Sequence, residues 1–226
     1  MSSKVDFDEY SGSYDELLRE HTGFFSEDEK YFARYKVAIA RELVKTEPRQ
    51  ILEYGCGIGR NIPYLRSEFR NAQVFGSDIS AASIEIARKE NPESIFWIED
   101  GKPPPAASFD LLFVAGVFHH IAPQERGAAA RTLFERASGG SQLIVFEHNP
   151  FNPVTRRIVR DCPYDADAVL LAPRELKELL AGAGFGSFRT GFALFVPPKL
   201  RSLVGFERFV RWLPLGGQYW ISAHRK

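Results

Sequence analysis

From Ile51 to Arg60 the chain reads Ile-Leu-Glu-Tyr-Gly-Cys-Gly-Ile-Gly-Arg, a short apolar run opening into three glycines at alternate positions, with a carboxylate just before the first. Glycine reaches positive φ at little steric cost and lets a ligand approach where a Cβ would collide. Glycines clustered after a strand therefore mark close contact between main chain and a bound molecule. Spacing narrows the ligand. The dinucleotide fingerprint Gly-x-Gly-x-x-Gly requires a glycine where Arg60 stands, and the phosphate loop requires a Lys-Ser or Lys-Thr pair that does not follow this cluster.

Strand-like runs at 50–54, 73–76, 95–98, 111–114 and 141–146 alternate with helical stretches, a rhythm that predicts a doubly wound, mostly parallel sheet with helices on both faces. A helix at about 173–183, a run at 185–195 and a last run at 218–224 complete it. The 226 residues, 44% of them hydrophobic, suffice for one core. In such sheets ligands bind beyond the carboxyl ends of the strands, where the glycine cluster lies.

Glu53-x-Gly55-x-Gly57-x-Gly59 resembles the first motif of the class I S-adenosylmethionine-dependent methyltransferases of small-molecule type. Three further segments extend the resemblance in order. Gln73-Val-Phe-Gly-Ser-Asp78-Ile79 ends a strand in an acid. Ser94 to Gly101 ends in Glu99-Asp100-Gly101. Phe109 to Ile121 combines an acid beside an aromatic, a buried strand, Ala115-Gly116, and the pair His119-His120. The resemblance implies S-adenosylmethionine as cofactor. It places Glu53, Gly55, Cys56, Gly57 and Gly59 in the loop beneath the amino-acid and ribose parts, and Asp78 with Ile79 at the ribose. Asp100 with Gly101 falls at the adenine, and Ala115 with Gly116 at the methionine part. Asp78 or Ser80 reads equally as a helix cap, and Glu99 competes with Asp100, while Asp-Gly is also an ordinary turn. The same resemblance implies a Rossmann-like fold of seven strands, the last antiparallel between its neighbours. It divides the chain into an N-terminal helical cap at 1–48 and a cofactor-binding core at 49–226, with an acceptor-side insertion at about 148–172.

His119, His120, His148 and Glu147 are the candidates for proton transfer, since an imidazole titrates near neutrality and can accept a proton from an attacking acceptor. One histidine of the pair is expected to pack structurally. For the acceptor, Tyr10, Tyr14 and Tyr35 offer apolar faces with polar tips or ordinary helix-to-core contacts, and Arg34 and Lys36 read as cations for the cofactor carboxylate or an anionic substrate, or as solvated surface charge. Asn149 opens the polar run after the fifth strand, where Arg156 and Arg157 form an anion clamp or a solvated basic face. The stretch 192–215 mixes large apolar residues with arginines. It reads as a packed helix with arginines reaching outward, as a subunit contact in a homodimer, or as a peripheral membrane surface.

Lysine plus arginine equals aspartate plus glutamate at 29 each, so no global positive field favours nucleic acid. Cys56 and Cys162 lack metal-ligand or disulfide-framework spacing, so no metal is expected and a reducing cytoplasm fits. The N-terminal residues lack an apolar signal core, and no run is long enough to span a membrane. The expected activity is methyl transfer to an oxygen or nitrogen of a small-molecule or a lipid- or glycan-linked acceptor. The rival readings are a noncatalytic scaffold retaining the cofactor fold and a nicotinamide-dependent oxidoreductase.

Overall fold

The computed structural model describes residues 8, 30–99, 108–196 and 204–226. Tyr10, Tyr14, Asp100 and Gly101 lie outside the described residues. Helix α1 (Lys30–Leu43) leads into β1 (Gln50–Tyr54), α2 (Ile62–Glu68), β2 (Gln73–Asp78), α3 (Ala81–Glu90), β3 (Ile95–Ile98) and β4 (Phe109–Ala115). A 3-10 turn (Phe118–His120) and α4 (Arg126–Arg136) precede β5 (Ala137–His148), and α5 (Pro153–Asp161) is followed by a second 3-10 turn (Pro163–Asp165). Helix α6 (Pro173–Ala183), β6 (Phe185–Ala193), α7 (Glu207–Val210) and β7 (Gln218–Arg225) complete the described chain.

Seven strands form one sheet in the order β3-β2-β1-β4-β5-β7-β6. The first five are parallel, and β7 runs antiparallel between β5 and β6. The expected seven-stranded architecture is therefore present. Because both faces of the central strands are covered, their residues alternate between two cores rather than between core and solvent. Ile51, Leu111, Phe113, Ile144 and Phe146 enter the core shared with α1, α2 and α3. Their neighbours Leu52, Leu112, Val114, Leu143 and Val145 enter the core shared with α4 and α6.

Boundaries follow local chemistry. Helix α3 starts where Ser80 Oγ accepts the Ser83 N–H at 3.0 Å, and α6 stops at Gly184, whose φ of 115° ends the helix in the left-handed region. Strand β5 begins at Ala137, earlier than hydrophobicity predicts, because Ala137 pairs with Phe109 across a bulge while Gly139 and Gly140 remain exposed.

The segment carrying α7 has arginines and aromatics on its outer side, Arg208 being exposed. Arg211 pairs with the exposed Glu42 of α1 at 2.6 Å, and Phe206, Phe209 and Trp212 are 65%, 62% and 74% exposed. Its anchor is Glu207, which is buried and accepts the Tyr35 hydroxyl and the N–H groups of Phe195 and Val196. Those fixed bonds outweigh the apolar character of the other face. Among the described residues no helix is long and apolar enough to cross a membrane.

Strand order reverses at β1, with β2 and β3 on one side and β4 onward on the other. The carboxyl ends of β1 and β4 therefore open a crevice.

Candidate functional site

The crevice is a cavity of about 720 Å³, within the range of small-ligand sites. The glycine loop forms its floor. Gly55 N–H and Cys56 N–H donate to Ser77 O at 2.8 and 2.9 Å, pinning the loop across β2. Gly55 has φ +70°, and a Cβ there would lie 2.4 Å from a Val117 methyl, so the site tolerates no side chain. Gly57 has φ +51°, and a Cβ there would meet nothing within 4 Å because the residue borders the cavity.

Asp78 closes the β2 end of this floor. Its Oδ2 accepts the Gly57 N–H at 2.7 Å and its Oδ1 accepts the Ser80 N–H at 2.9 Å. Burial raises its pKa, against those backbone bonds that lower it. Ser80, and not Asp78, caps α3, which settles the choice between them as caps. Ile79, 54% exposed, adds an apolar wall. Glu99 lines the same end, but its carboxylate is held by Arg136 at 2.5 and 2.7 Å.

Glu53 stands behind the loop, 1% exposed, with Oε1 accepting the Asn61 amide. Its Oε2 is buried and has no partner among the described residues. Burial drives its pKa up to about 8, and the Lys36 charge and the Asn61 bond pull the other way. Lys36, from α1, lines the cavity with its own pKa lowered by burial.

Ala115, Gly116 and Val117 line the far wall at the end of β4, leading into the histidine pair. Glu147, fully buried, organises this turn. Its Oε1 accepts the N–H groups of Val117 and Phe118 at 3.0 and 2.7 Å, and its Oε2 lies 2.6 Å from His119 Nδ1. With these donors in place Glu147 does not face the cavity, so its expected part in proton transfer becomes that of a positioning residue.

The histidines differ. Burial alone depresses His119, but the charge of Glu147 and the nearby Asp165 outweigh it and lift the imidazole to about 9. Burial and the His119 charge push both His120 and His148 down to about 4. At neutral pH the last two are neutral. His148 packs 4.8 Å from the His119 ring and lines the cavity.

The residues after β5 form the opposite wall. Asn152, Val154, Thr155, Ile158, Cys162, Tyr164 and Asp165 all border the cavity. Asn149 does not; it is fully buried and donates to the carbonyls of Pro214 and Gly216, tying β5 to the turn before β7. Arg156 and Arg157 point to solvent, with Arg157 3.6 Å from Asp161. Tyr35 is 8% exposed in the core with its hydroxyl on Glu207. These four expected acceptor contacts therefore lie off the cavity, because helical phase turned the arginines outward and stronger partners took Asn149 and Tyr35.

Comparison with known proteins gives the same outline. Residues 51–139 match the family model described as a methyltransferase domain. Trans-aconitate 2-methyltransferase of Azoarcus sp. (strain BH72) is 28% identical over 167 residues, covering 70% of this chain and 65% of the relative. Malonyl-[acyl-carrier protein] O-methyltransferase of Legionella pneumophila is 36% identical over 83 residues, 34% of this chain and 29% of the relative. These matches span less than two thirds of the relatives' length. In fold, the chain is similar to a Thermotoga maritima protein described as a SAM-dependent methyltransferase and possible histamine N-methyltransferase. The TM-score is 0.70 at 19% identity, over 97% of this chain and 98% of that one.

Proposed function

We propose that the chain is a class I S-adenosylmethionine-dependent methyltransferase that transfers the sulfonium methyl group to an oxygen or nitrogen atom of a small acceptor, a reading supported by the methyltransferase-domain match and the shared fold. One observation carries this reading. A single cavity is lined by the glycine loop with Asp78 poised on its Gly57 N–H, by Lys36, and by the neutral imidazole of His148.

In this account Glu53 and Asn61 brace the glycine loop from behind, and Lys36, which lines the cavity, would face the carboxylate of the cofactor. Asp78 accepts the ribose hydroxyls, for which each of its oxygens retains a lone pair. Gly57 leaves room for the ligand, Gly55 and Gly59 shape the loop, and Cys56 contributes main chain, its thiol pKa being raised by burial. Ile79 lies against the adenine, and Ala115 with Gly116 against the methionine chain. S-adenosylmethionine supplies an electrophilic methyl group on sulfur.

The protein aligns the acceptor with that methyl and keeps water out, which contributes about 7–11 kcal/mol when the geometry is near attack. His148 accepts the acceptor's proton at a ring nitrogen. His119, held between Glu147 and Asp165, fixes the wall instead. The acceptor enters between α5 and the β4 turn, making the 148–172 segment its binding wall. The apolar mouth at Val154, Ile158 and Leu215 suits an acceptor carried on a lipid or acyl chain as well as a free one.

The test is mass spectrometry of reactions containing S-adenosylmethionine and a panel of small acids, amines, alcohols and acyl-linked acids. A methylated product formed together with an equal amount of S-adenosylhomocysteine is expected. Tight cofactor binding with no product across the panel would favour the scaffold reading.

A further inference from the structure

The acceptor wall contains a group of side chains that methyl transfer does not use. His119 and His120 come from the turn after β4, and Asp165 from the turn after α5, some 45 residues later. One nitrogen from each histidine and a carboxylate oxygen of Asp165 lie within 4.8 Å of one another. Asp165 Oδ1 is 3.6 Å from His119 Nε2 and 3.4 Å from His120 Nε2. Both separations exceed the 2.7–3.2 Å of a good N–H···O hydrogen bond. They match two ligands on one metal: bonds of about 2.0–2.1 Å at a tetrahedral angle put neighbouring donor atoms about 3.4 Å apart.

The surroundings are those of a metal site. A metal-bound histidine characteristically donates its other ring N–H to a carboxylate, which fixes the tautomer. His119 Nδ1 meets Glu147 Oε2 at 2.6 Å, and His120 Nδ1 faces Asp167 Oδ1 at 3.4 Å. The short Glu147 contact turns His119 Nε2 toward Asp165, and His120 Nε2 lies on the same side of that carboxylate.

The backbone holding these residues is tied down from both sides. The Val169 N–H donates to His119 O at 2.8 Å. Arg126, 1% exposed, donates to the carbonyls of Ile121 and Val169 and pairs with Glu175 at 3.1 Å. Two chain segments distant in sequence are thus locked in register around the three donor atoms. All three residues line the cavity, which leaves a further coordination position open toward it.

We propose that His119, His120 and Asp165 bind a divalent transition metal ion such as zinc, with an open position facing the acceptor cavity. Two imidazoles and one carboxylate suit zinc or a neighbouring late first-row ion, and are a poor match for magnesium or calcium, which prefer all-oxygen shells. The site stands on its own geometry. Its role, holding an acceptor oxygen as a Lewis acid, rests on the methyl-transfer reading.

The experiment titrates the chelator-treated full chain with cobalt(II), read by visible absorption, and with zinc(II), read by calorimetry, both without S-adenosylmethionine. One equivalent is expected, with intense four- or five-coordinate cobalt bands displaced by zinc. Asp165→Asn should weaken binding more than tenfold, and Asp167→Asn by about 10–100-fold, as for an outer carboxylate. His224→Gln, on the distant β7, should leave it unchanged. Weak octahedral cobalt bands in the wild-type chain, or undiminished affinity in Asp165→Asn, would overturn the site. The wild-type spectrum needs no variant to fold, and methyl-donor binding is titrated separately, so loss of one result leaves the other standing.

Discussion

Asp78 already accepts two backbone N–H groups, so its removal affects both the loop and the ligand. Charge-assisted hydrogen bonds contribute about 1.5–3 kcal/mol each. Gly57→Ala acts differently, placing a methyl in the cavity and forcing φ +51° on a residue with a Cβ. About 1–2 kcal/mol of stability is expected to be lost, together with most of the affinity for S-adenosylmethionine, as read by a thermal melt beside a binding titration. His148→Gln should lower kcat by about 10²–10⁴ while cofactor affinity stays constant. A base must be deprotonated to act. With its pKa lowered to about 4, His148 predicts activity steady through neutral pH and falling as pH drops through about 4. A profile rising through about 9 would instead assign the proton to His119.

At the scale of elements, the turn after β4 hangs on Glu147. Glu147→Gln breaks a buried charged pair, and a loss of about 3–5 kcal/mol is expected in denaturant unfolding. The same pair gives stability a pH dependence of definite sign. The folded pKa of His119, about 9, lies above its ordinary 6.5. Its contribution is therefore complete below pH 6.5 and lost as pH rises through 9. Melts at pH 6 and 10 should differ more for the wild type than for Glu147→Gln. The carboxyl ends of β1, β2 and β4 were legible in the sequence because Gly55 to Gly59, Asp78 and Ala115-Gly116 each sit where an apolar run stops. Asp165 was not legible, since nothing in Pro-Tyr-Asp announces contact with a turn some 45 residues upstream. Asn61 carried only the faint signal of following the glycines. Arg156 and Arg157 misled because only the phase of α5, fixed by Thr155 and Val159 turning inward, shows that the arginines point out.

Across the whole molecule, the reversal of strand order at β1 opens one crevice, to which the proposed function gives two tasks. Its β1–β2 side reads as the seat of the methyl donor, and its β4–β5 side, with the wall after β5, as the acceptor's. Around α7 both Arg208 and the aromatics Phe206, Phe209 and Trp212 face outward, an arrangement composition alone left open between packing, subunit contact and membrane surface. Glu207, a single buried anchor, sets its orientation. The most direct test of the donor seat is a calorimetric titration of S-adenosylmethionine into the wild-type chain and into Asp78→Ala. Single-site binding by the wild type and a loss of affinity of at least about tenfold in the variant are predicted, as one lost charge-assisted bond requires. Equal affinity in the two proteins would contradict the account.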